Sequence, residues 1–195
     1  MASVKPGKTP AQGQLRIIGG QWRSRKLGFP QAPGLRPTPD RVRETLFNWL
    51  APHVEGAKVL DPFAGSGALY LEALSRGAAM GLALDSNATA IASLRHNLEL
   101  LQCSVGQLLQ SDALRYLETQ TPTAFDLVFL DPPFHQNLLP ATCELLEQRQ
   151  WLAEGEGQRQ LAYWKTQLGE EHPTLSLATD HPRSAHHCNS ASRHT

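Results

Sequence analysis

Four consecutive strand-like runs each end in a carboxylate: AKVLD in Asp61, MGLALD in Asp85, VGQLLQSD in Asp112 and AFDLVFLD in Asp131. A single aspartate in such a place is most simply a helix cap. Four in succession would line one edge of one parallel sheet, where open α/β sheets keep their ligands. Asp61 opens the loop DPFAGSG, in which Phe63, Ala64, Gly65, Ser66 and Gly67 carry the chain into the next helix. Glycine lets the backbone approach a ligand, and a helix N-terminus there offers unpaired N–H groups. A dinucleotide fingerprint would have glycine where Tyr70 stands, and a carboxylate beside the loop repels phosphate. A cofactor with a cationic amino-acid portion fits better. Asp85, about twenty residues on, can accept both hydroxyls of a ribose, and Asp112 can accept an adenine amino group.

The stretch FDLVFLDPPFHQ needs its own account. Proline lacks an N–H and restricts the residue before it, so Pro132 and Pro133 are an ordinary way to end a strand. That leaves Asp131 and Phe134 unexplained. A rigid acceptor loop at the carboxyl end of a buried strand explains all four.

These residues require elements to hold them. From Ala57 onward short apolar strands alternate with helices, among them GSGALYLEALSRG, SNATAIASLRHNLELLQ and NLLPATCELLEQRQWL. Ile91, Leu94, Leu98 and Leu101 mark one helical face. Repeated β-α units imply a parallel sheet covered on both sides. In front of them, LRPTPDRVRETLFNWL predicts a helix capped by Thr38, with Pro39 and Asp40 in its first turn. Val42, Leu46, Trp49 and Leu50 form its apolar face, leaving Arg41 and Arg43 as a basic rim. LRIIGG and RKLGF predict a hairpin joined through Gly19 and Gly20.

A chain of 195 residues, 41% hydrophobic and 18% charged, suits one α/β domain with an appendage. Its apolar runs are strand-length, so a membrane span is not expected, and the first fifteen residues lack the apolar core of a secretory signal. A cytoplasmic protein is expected. Cys103, Cys143 and Cys188 read as reduced thiols, since their spacing suits neither a zinc site nor a disulfide framework. His181, His186, His187 and Cys188 match no metal-ligand spacing, so no metal is expected. The net charge of zero conceals a basic end. Residues 1 to 55 hold nine Lys/Arg against three acids, a balance of +6 offset by −6 in the remainder. Arg16, Arg23, Arg25, Lys26 and Arg36, interleaved with Trp22, could track phosphates while the indole stacks on an unpaired base. A solvated, solubilising segment is the plainer reading of the same charges.

VLDPFAGSGALYLEALSRGA, followed by ALDSN, SDAL and FLDPPF, resembles the class I S-adenosylmethionine-dependent methyltransferases. With LRIIGGQWRSRKL and LRPTPDRVRETLFNWL in front, the chain is similar to the bacterial 16S ribosomal RNA (guanine(966)-N2)-methyltransferases from about Leu15 to Gly155. The resemblance implies a Rossmann-like α/β sheet with an N-terminal hairpin and helix extension, and S-adenosylmethionine as cofactor. By position, Asp61 to Gly67 would cradle its methionine part, Asp85 the ribose, and Asp112 with Ala113 the adenine. Asp131 to Phe134 would hold the target base, with Asp131 and the Pro132 carbonyl accepting from the amino group and Phe134 stacking on the ring. The implied partner is 16S ribosomal RNA in an assembled or partly assembled small subunit, and the implied protein is a monomer. The chain departs from the family at Pro62, usually leucine, at Tyr70, usually glycine, and at Asp85, usually glutamate. The DPPF loop alone does not choose the base, so an adenine-N6 or other amino-group nucleic-acid methyltransferase stays open beside guanine-N2 transfer.

The end of the chain breaks the pattern. After WLAEG the family continues with an apolar strand and a closing hairpin, whereas EGQRQLAYWKTQLGEEHPTLSLATDHPRSAHHCNSASRHT is polar and lacks strand alternation. A divergent or frame-shifted end that removes two or three sheet strands is expected, which also admits a non-catalytic RNA-binding remnant. The expected organisation is a flexible terminus over 1–14, a basic RNA-facing hairpin and helix over 15–55, the cofactor-binding domain over 56–155 and a disordered tail over 156–195.

Overall fold

A computed structural model describes residues 12–30, 37–133 and 136–153. The chain opens with an antiparallel hairpin of β1 (Gln12–Arg16) and β2 (Lys26–Pro30), in which Leu15 pairs with Leu27. Helix α1 (Asp40–Trp49) and the single turn α2 (Ala51–Val54) follow. Then come β3 (Lys58–Asp61), α3 (Ala68–Ser75), β4 (Met80–Asp85), α4 (Ala88–Leu100), β5 (Gly106–Gln110), α5 (Ala113–Thr119), β6 (Leu127–Val128) and α6 (Leu138–Gln148). The four later strands form one sheet in the order β5-β4-β3-β6, every pair parallel, so their carboxyl ends share one edge. Beyond α6 the chain comes alongside Phe125. The Phe125 N–H donates to the Trp151 carbonyl and the Ala153 N–H to the Phe125 carbonyl, each at 2.9 Å.

The central strands β3 and β4 are apolar on both sides because both of their sides are covered. Val59 and Ala83 face Leu71, Leu74, Leu94 and Leu98 of α3 and α4, together with Leu15, Ile17 and Leu27 of the hairpin and Phe47 of α1. Their neighbours Leu60, Leu82 and Leu84 face the other way, onto Leu117, Phe125, Leu146 and Trp151. That period of two is the strand signature. The Trp151 indole N–H donates to the Leu117 carbonyl at 3.0 Å, so the large ring enters the core with its polar atom satisfied. Ile91, Leu94, Leu98 and Leu101 are buried, as their helical spacing predicts. No described helix is long and apolar enough to cross a membrane.

Helix α1 corrects two expectations. Pro39, not Thr38, is its N-cap, and no side chain caps it. Its inward face centres on Phe47 and Arg43, both fully buried, whereas Val42 is 53% and Trp49 72% exposed. Residues 43 and 47 lie one turn apart on one stripe, and a buried carboxylate waiting on α3 makes an arginine acceptable there. Leu46 and Leu50 of the expected apolar face are partly buried against the core, so the expectation fails at Val42 and Trp49 and not along the whole stripe.

Candidate active site

The glycine loop is built between the ends of β3 and β4. The Ala64 N–H donates to the Leu84 carbonyl at 2.9 Å, and the Gly67 N–H closes the turn on the Ala64 carbonyl at 2.7 Å. Gly67 caps α3 at φ +75°, and a Cβ there would lie 2.2 Å from Leu94 Cδ2, so both conformation and packing demand glycine. Asp61 sits beneath this loop, 3% exposed, its carboxyl accepting from the backbone N–H groups of Phe63 and Tyr70. Burial, reinforced by the charges of Asp131 and Asp85, pushes Asp61 up to about 7.

Asp85 is half-buried at the end of β4 and already oriented: Oδ2 accepts from the Gly65 N–H at 2.8 Å and Oδ1 from the Asn87 N–H at 2.7 Å. An ionised carboxylate has about four acceptor positions, so about two remain free. Asp112 is exposed and caps α5, its Oδ1 accepting from the Arg115 N–H at 2.9 Å, with Ala113 buried behind it. Asp131 and Pro133 are exposed and Pro132 is half-buried. Thus Asp61 and Asp85 end their strands, whereas Asp112 and Asp131 follow β5 and β6 by two and three residues. All four occupy one sheet edge as expected, though two do so from loops. Phe134 lies outside the described residues, as does the tail over 156–195.

Asp61, Asp85 and Asp131 take part in no ion pair among the described residues. Three convergent carboxylates without a cation, one of them desolvated, beside a loop that admits close backbone approach, fit a positively charged cofactor. Among the described residues no group of three or more His, Cys, Asp or Glu is placed to hold a metal ion.

The basic residues divide. Arg23, Arg25, Lys26 and Arg41 are exposed, Arg25 donating to the Leu100 carbonyl at 3.0 Å. Arg16 is exposed but held by Asp40 at 3.1 Å, and Trp22 is partly buried against the core. Arg43 is not on a rim. Its guanidinium donates to the carbonyls of Thr38 (3.1 Å) and Arg16 (2.7 Å), to Asp40 Oδ1 (2.7 Å) and to Glu72 Oε2 (3.4 Å). Fully buried, with four of its five N–H groups donating inside the protein, it is out of reach of a phosphate. Arg36 lies outside the described residues.

Two residues escaped the sequence reading as structural determinants. Tyr70, where the family resemblance leads one to expect glycine, is fully buried, its single O–H shared between the carbonyls of Gln107 (3.0 Å) and Gly81 (3.3 Å). Room for it comes from Gly81 and Gly106, where a Cβ would lie 2.7 Å from the Tyr70 ring and 2.8 Å from its hydroxyl. Glu72 is fully buried in α3. A carboxylate amid ALYLEALS was the available signal, because a charge on a helix buried all round needs partners.

A parallel sheet with helices on both faces, a glycine turn after the first sheet strand and carboxylates along the carboxyl edge define a class I S-adenosylmethionine-dependent methyltransferase. The family model described as Conserved hypothetical protein 95 matches residues 15–175, twenty residues beyond the end of the resemblance read from the motifs. Ribosomal RNA small subunit methyltransferase D of Escherichia coli is 48% identical over 172 residues, covering 88% of this chain and 84% of that one. The protein of that name from Haemophilus influenzae is 47% identical over 153 residues, 76% of this chain and 79% of its own. The chain belongs to the ribosomal RNA small subunit methyltransferase D family. A solved Escherichia coli structure assigned as a methyltransferase superposes with a TM-score of 0.68 at 50% identity, covering 72% of this chain and 76% of that one. A Thermus thermophilus 16S rRNA N2 G1207 methyltransferase, solved with S-adenosylmethionine and guanosine, shares the fold at TM-score 0.57 and 24% identity, over 74% of this chain and 40% of that one.

Proposed function

We propose that the chain transfers the methyl group of S-adenosylmethionine to the exocyclic N2 of one guanine in small-subunit (16S) ribosomal RNA. The observation that carries the proposal is the adjacency of the acceptor loop and the glycine loop, which leave the carboxyl ends of β6 and β3, neighbouring parallel strands of one sheet. S-adenosylmethionine, when bound, supplies a methyl group already activated by its sulfonium. The chain therefore needs geometry and charge stabilisation more than strong acid–base groups. Asp61 and the loop Phe63 to Gly67 hold the methionine part, with the Asp61 carboxylate facing its positive charge. Asp85 uses its free acceptor positions for the ribose hydroxyls, and Asp112 with Ala113 borders the adenine.

A guanine amino nitrogen is a poor nucleophile because its lone pair is delocalised into the ring. Asp131 and the Pro132 carbonyl accept its two N–H bonds, turn the lone pair toward the methyl carbon and stabilise the positive charge that grows on nitrogen. Pro132 and Pro133 hold that loop rigid, and Phe134 stacks on the unpaired base. Arg23, Arg25, Lys26 and Arg41 contact phosphate, and Trp22 borders the RNA at the hairpin. The chain acts in the cytoplasm, as a monomer, on assembled or partly assembled small subunits. Residues 15–55 serve as the RNA-facing part and 56–155 as the cofactor-binding part.

Labelled S-adenosylmethionine offered in parallel with small subunits from a strain lacking the modification, naked 16S ribosomal RNA and duplex DNA tests this reading. Label is expected in the subunits. Label in DNA, or in no substrate, refutes it, and absence of label together with absence of cofactor binding by calorimetry favours a non-catalytic remnant.

A further inference from the structure

Glu72 is about one turn into α3, the helix that begins at the glycine loop, yet both of its oxygens bond to the hairpin turn and to arginines rather than at the sheet edge. Oε2 accepts from the Ile18 N–H at 2.9 Å and from Arg43 Nη1 at 3.4 Å, while Oε1 accepts from the Gly19 N–H and Arg76 Nε, each at 2.8 Å. Four donors from three segments converge on one buried carboxylate. Ser75, three residues on, continues the seam: its hydroxyl donates to the Gly19 carbonyl at 2.6 Å and accepts from the Trp22 N–H at 3.0 Å. The Gln21 N–H reaches the Ser75 carbonyl at 2.7 Å. Gly20 allows this approach, since a Cβ there would lie 1.8 Å from the Ser75 carbonyl oxygen. The turn of the basic hairpin is thus fastened to α3 by its backbone, leaving the side chains of Arg23, Arg25 and Lys26 outside.

The same hub reaches the acceptor loop. The Arg76 guanidinium, held by Glu72, lies 5.1 Å over the Phe47 ring, and Phe47 packs on Phe129 at 5.7 Å, two residues before Asp131. Burying this pair desolvates two charges, a cost offset by the bonds of Glu72 to the Ile18 and Gly19 N–H groups and of Arg43 to the Thr38 and Arg16 carbonyls. A carboxylate buys a defined orientation, because its bond directions fix the hairpin turn, α1 and Arg76 at once.

We propose that Glu72 is a positioning residue that registers the RNA-contacting hairpin against the methyl-transfer site, without touching cofactor or base. The proposal rests on the functional reading above for the identity of the RNA. It requires that loss of the hub weaken RNA recognition while cofactor binding survives, because the glycine loop, Asp61 and Asp85 make their bonds independently of Glu72.

The test compares the full-length parent with Glu72→Gln and with Ser75→Ala, a near-isosteric change that removes only the second fastening. Small-subunit affinity, S-adenosylmethionine affinity, kcat and amide exchange at Ile18 and Gly19 are read on each. Glu72→Gln is expected to weaken subunit binding about tenfold or more, the scale of one lost bond to a charged group, with cofactor Kd within about twofold. Ser75→Ala should give the same split at about threefold to fivefold, and Ile18 and Gly19 should exchange faster in Glu72→Gln. Unchanged subunit affinity in either folded variant, or cofactor affinity falling in parallel, overturns the proposal. Should Glu72→Gln fail to fold, Ser75→Ala alone decides. A parent that binds subunits but transfers no methyl refutes the guanine-N2 reading, and the subunit affinities still decide the role of Glu72.

Discussion

Cofactor affinity should depend on pH through a single buried carboxyl. Asp61 is desolvated and feels the charges of Asp131 and Asp85, which together hold it near 7 in the ligand-free protein, against an ordinary value of 3.8. A cationic cofactor reverses the balance, since an opposite charge at close range favours the ionised form. Binding therefore releases a proton wherever Asp61 begins protonated. With a value of about 7, roughly one-tenth of the molecules carry the ionised carboxyl at pH 6 and roughly nine-tenths at pH 8, so affinity should rise about tenfold across that interval. The sulfonium charge is permanent and contributes no slope, while the cofactor's α-amino group, ordinarily at about 8, titrates alike with parent and variant, so the tenfold rise is read as the parent's affinity relative to that of Asp61→Asn. Calorimetry from pH 5.5 to 8.5, in two buffers of different ionisation enthalpy, reads both affinity and proton release. At pH 6 the parent should release close to one proton more than Asp61→Asn, and at pH 8.5 the two should release alike. Asp61→Asn should bind more weakly than the parent at pH 8 and lack the rise between pH 6 and 7.5. A parent profile parallel to that of Asp61→Asn refutes the argument that Asp61 faces the cofactor's charge.

The same carboxyl gives a stability test of opposite sense. Between its ordinary value and 7 the native state binds the proton that the unfolded chain has lost, so stability of the ligand-free protein should fall as pH rises from about 4 to about 7, by up to about 4 kcal/mol. Asp61→Asn should flatten that fall, and denaturant melts at pH 5 and 7.5 measure both. Asp131→Ala should lower turnover about 10² to 10³-fold, as loss of one preorganised acceptor does, with cofactor affinity nearly intact; a parallel loss of cofactor binding contradicts its assignment to the base. Arg25→Ala should reduce the magnitude of the log–log salt slope of subunit binding by about 0.7 to 0.9, and an unchanged slope places Arg25 off the phosphate path. Tyr70→Ala should cost about 3 to 5 kcal/mol in denaturant melts, because Gly81 and Gly106 leave nothing else to fill the space of the ring; a loss below about 1 kcal/mol refutes that account.

What was legible in the chain followed from periodicity and from residues with narrow uses. MGLALD is β4 to the residue, and the stripe from Ile91 to Leu101 is buried as spaced. Gly67 and Gly77 adopt positive φ at the two ends of α3 where the turns required it. Asp61 and Asp85 could be placed because a buried strand followed by a helix leaves few positions for a carboxylate. The errors came where long-range partners outweighed local pattern. Hydrophobicity places Leu46 and Leu50 against the core correctly but adds Val42 and Trp49, which are exposed, and misses Arg43, whose partner Glu72 lies twenty-nine residues on. Nothing local to LRPTPDRVRETLFNWL announces that carboxylate. Tyr70 likewise read as a departure from a glycine pattern, whereas its compensation lies in Gly81 and Gly106 on two other strands. The hairpin read as a basic arm, yet Ser93 and Asn97 of α4 both donate to the Gly28 carbonyl, at 3.1 and 2.9 Å, and make it part of the core's cover.

The most direct test of the central claim is the identity and number of modified nucleosides. Small subunits from a strain lacking the modification are incubated with labelled S-adenosylmethionine and the chain, and their RNA is digested to nucleosides and resolved by mass. The account predicts one labelled methyl per subunit, recovered as N2-methylguanosine, and label accumulating about 10² to 10³ times more slowly with Asp131→Ala. Label on adenosine, on a ring nitrogen of guanosine, or undiminished in Asp131→Ala contradicts it.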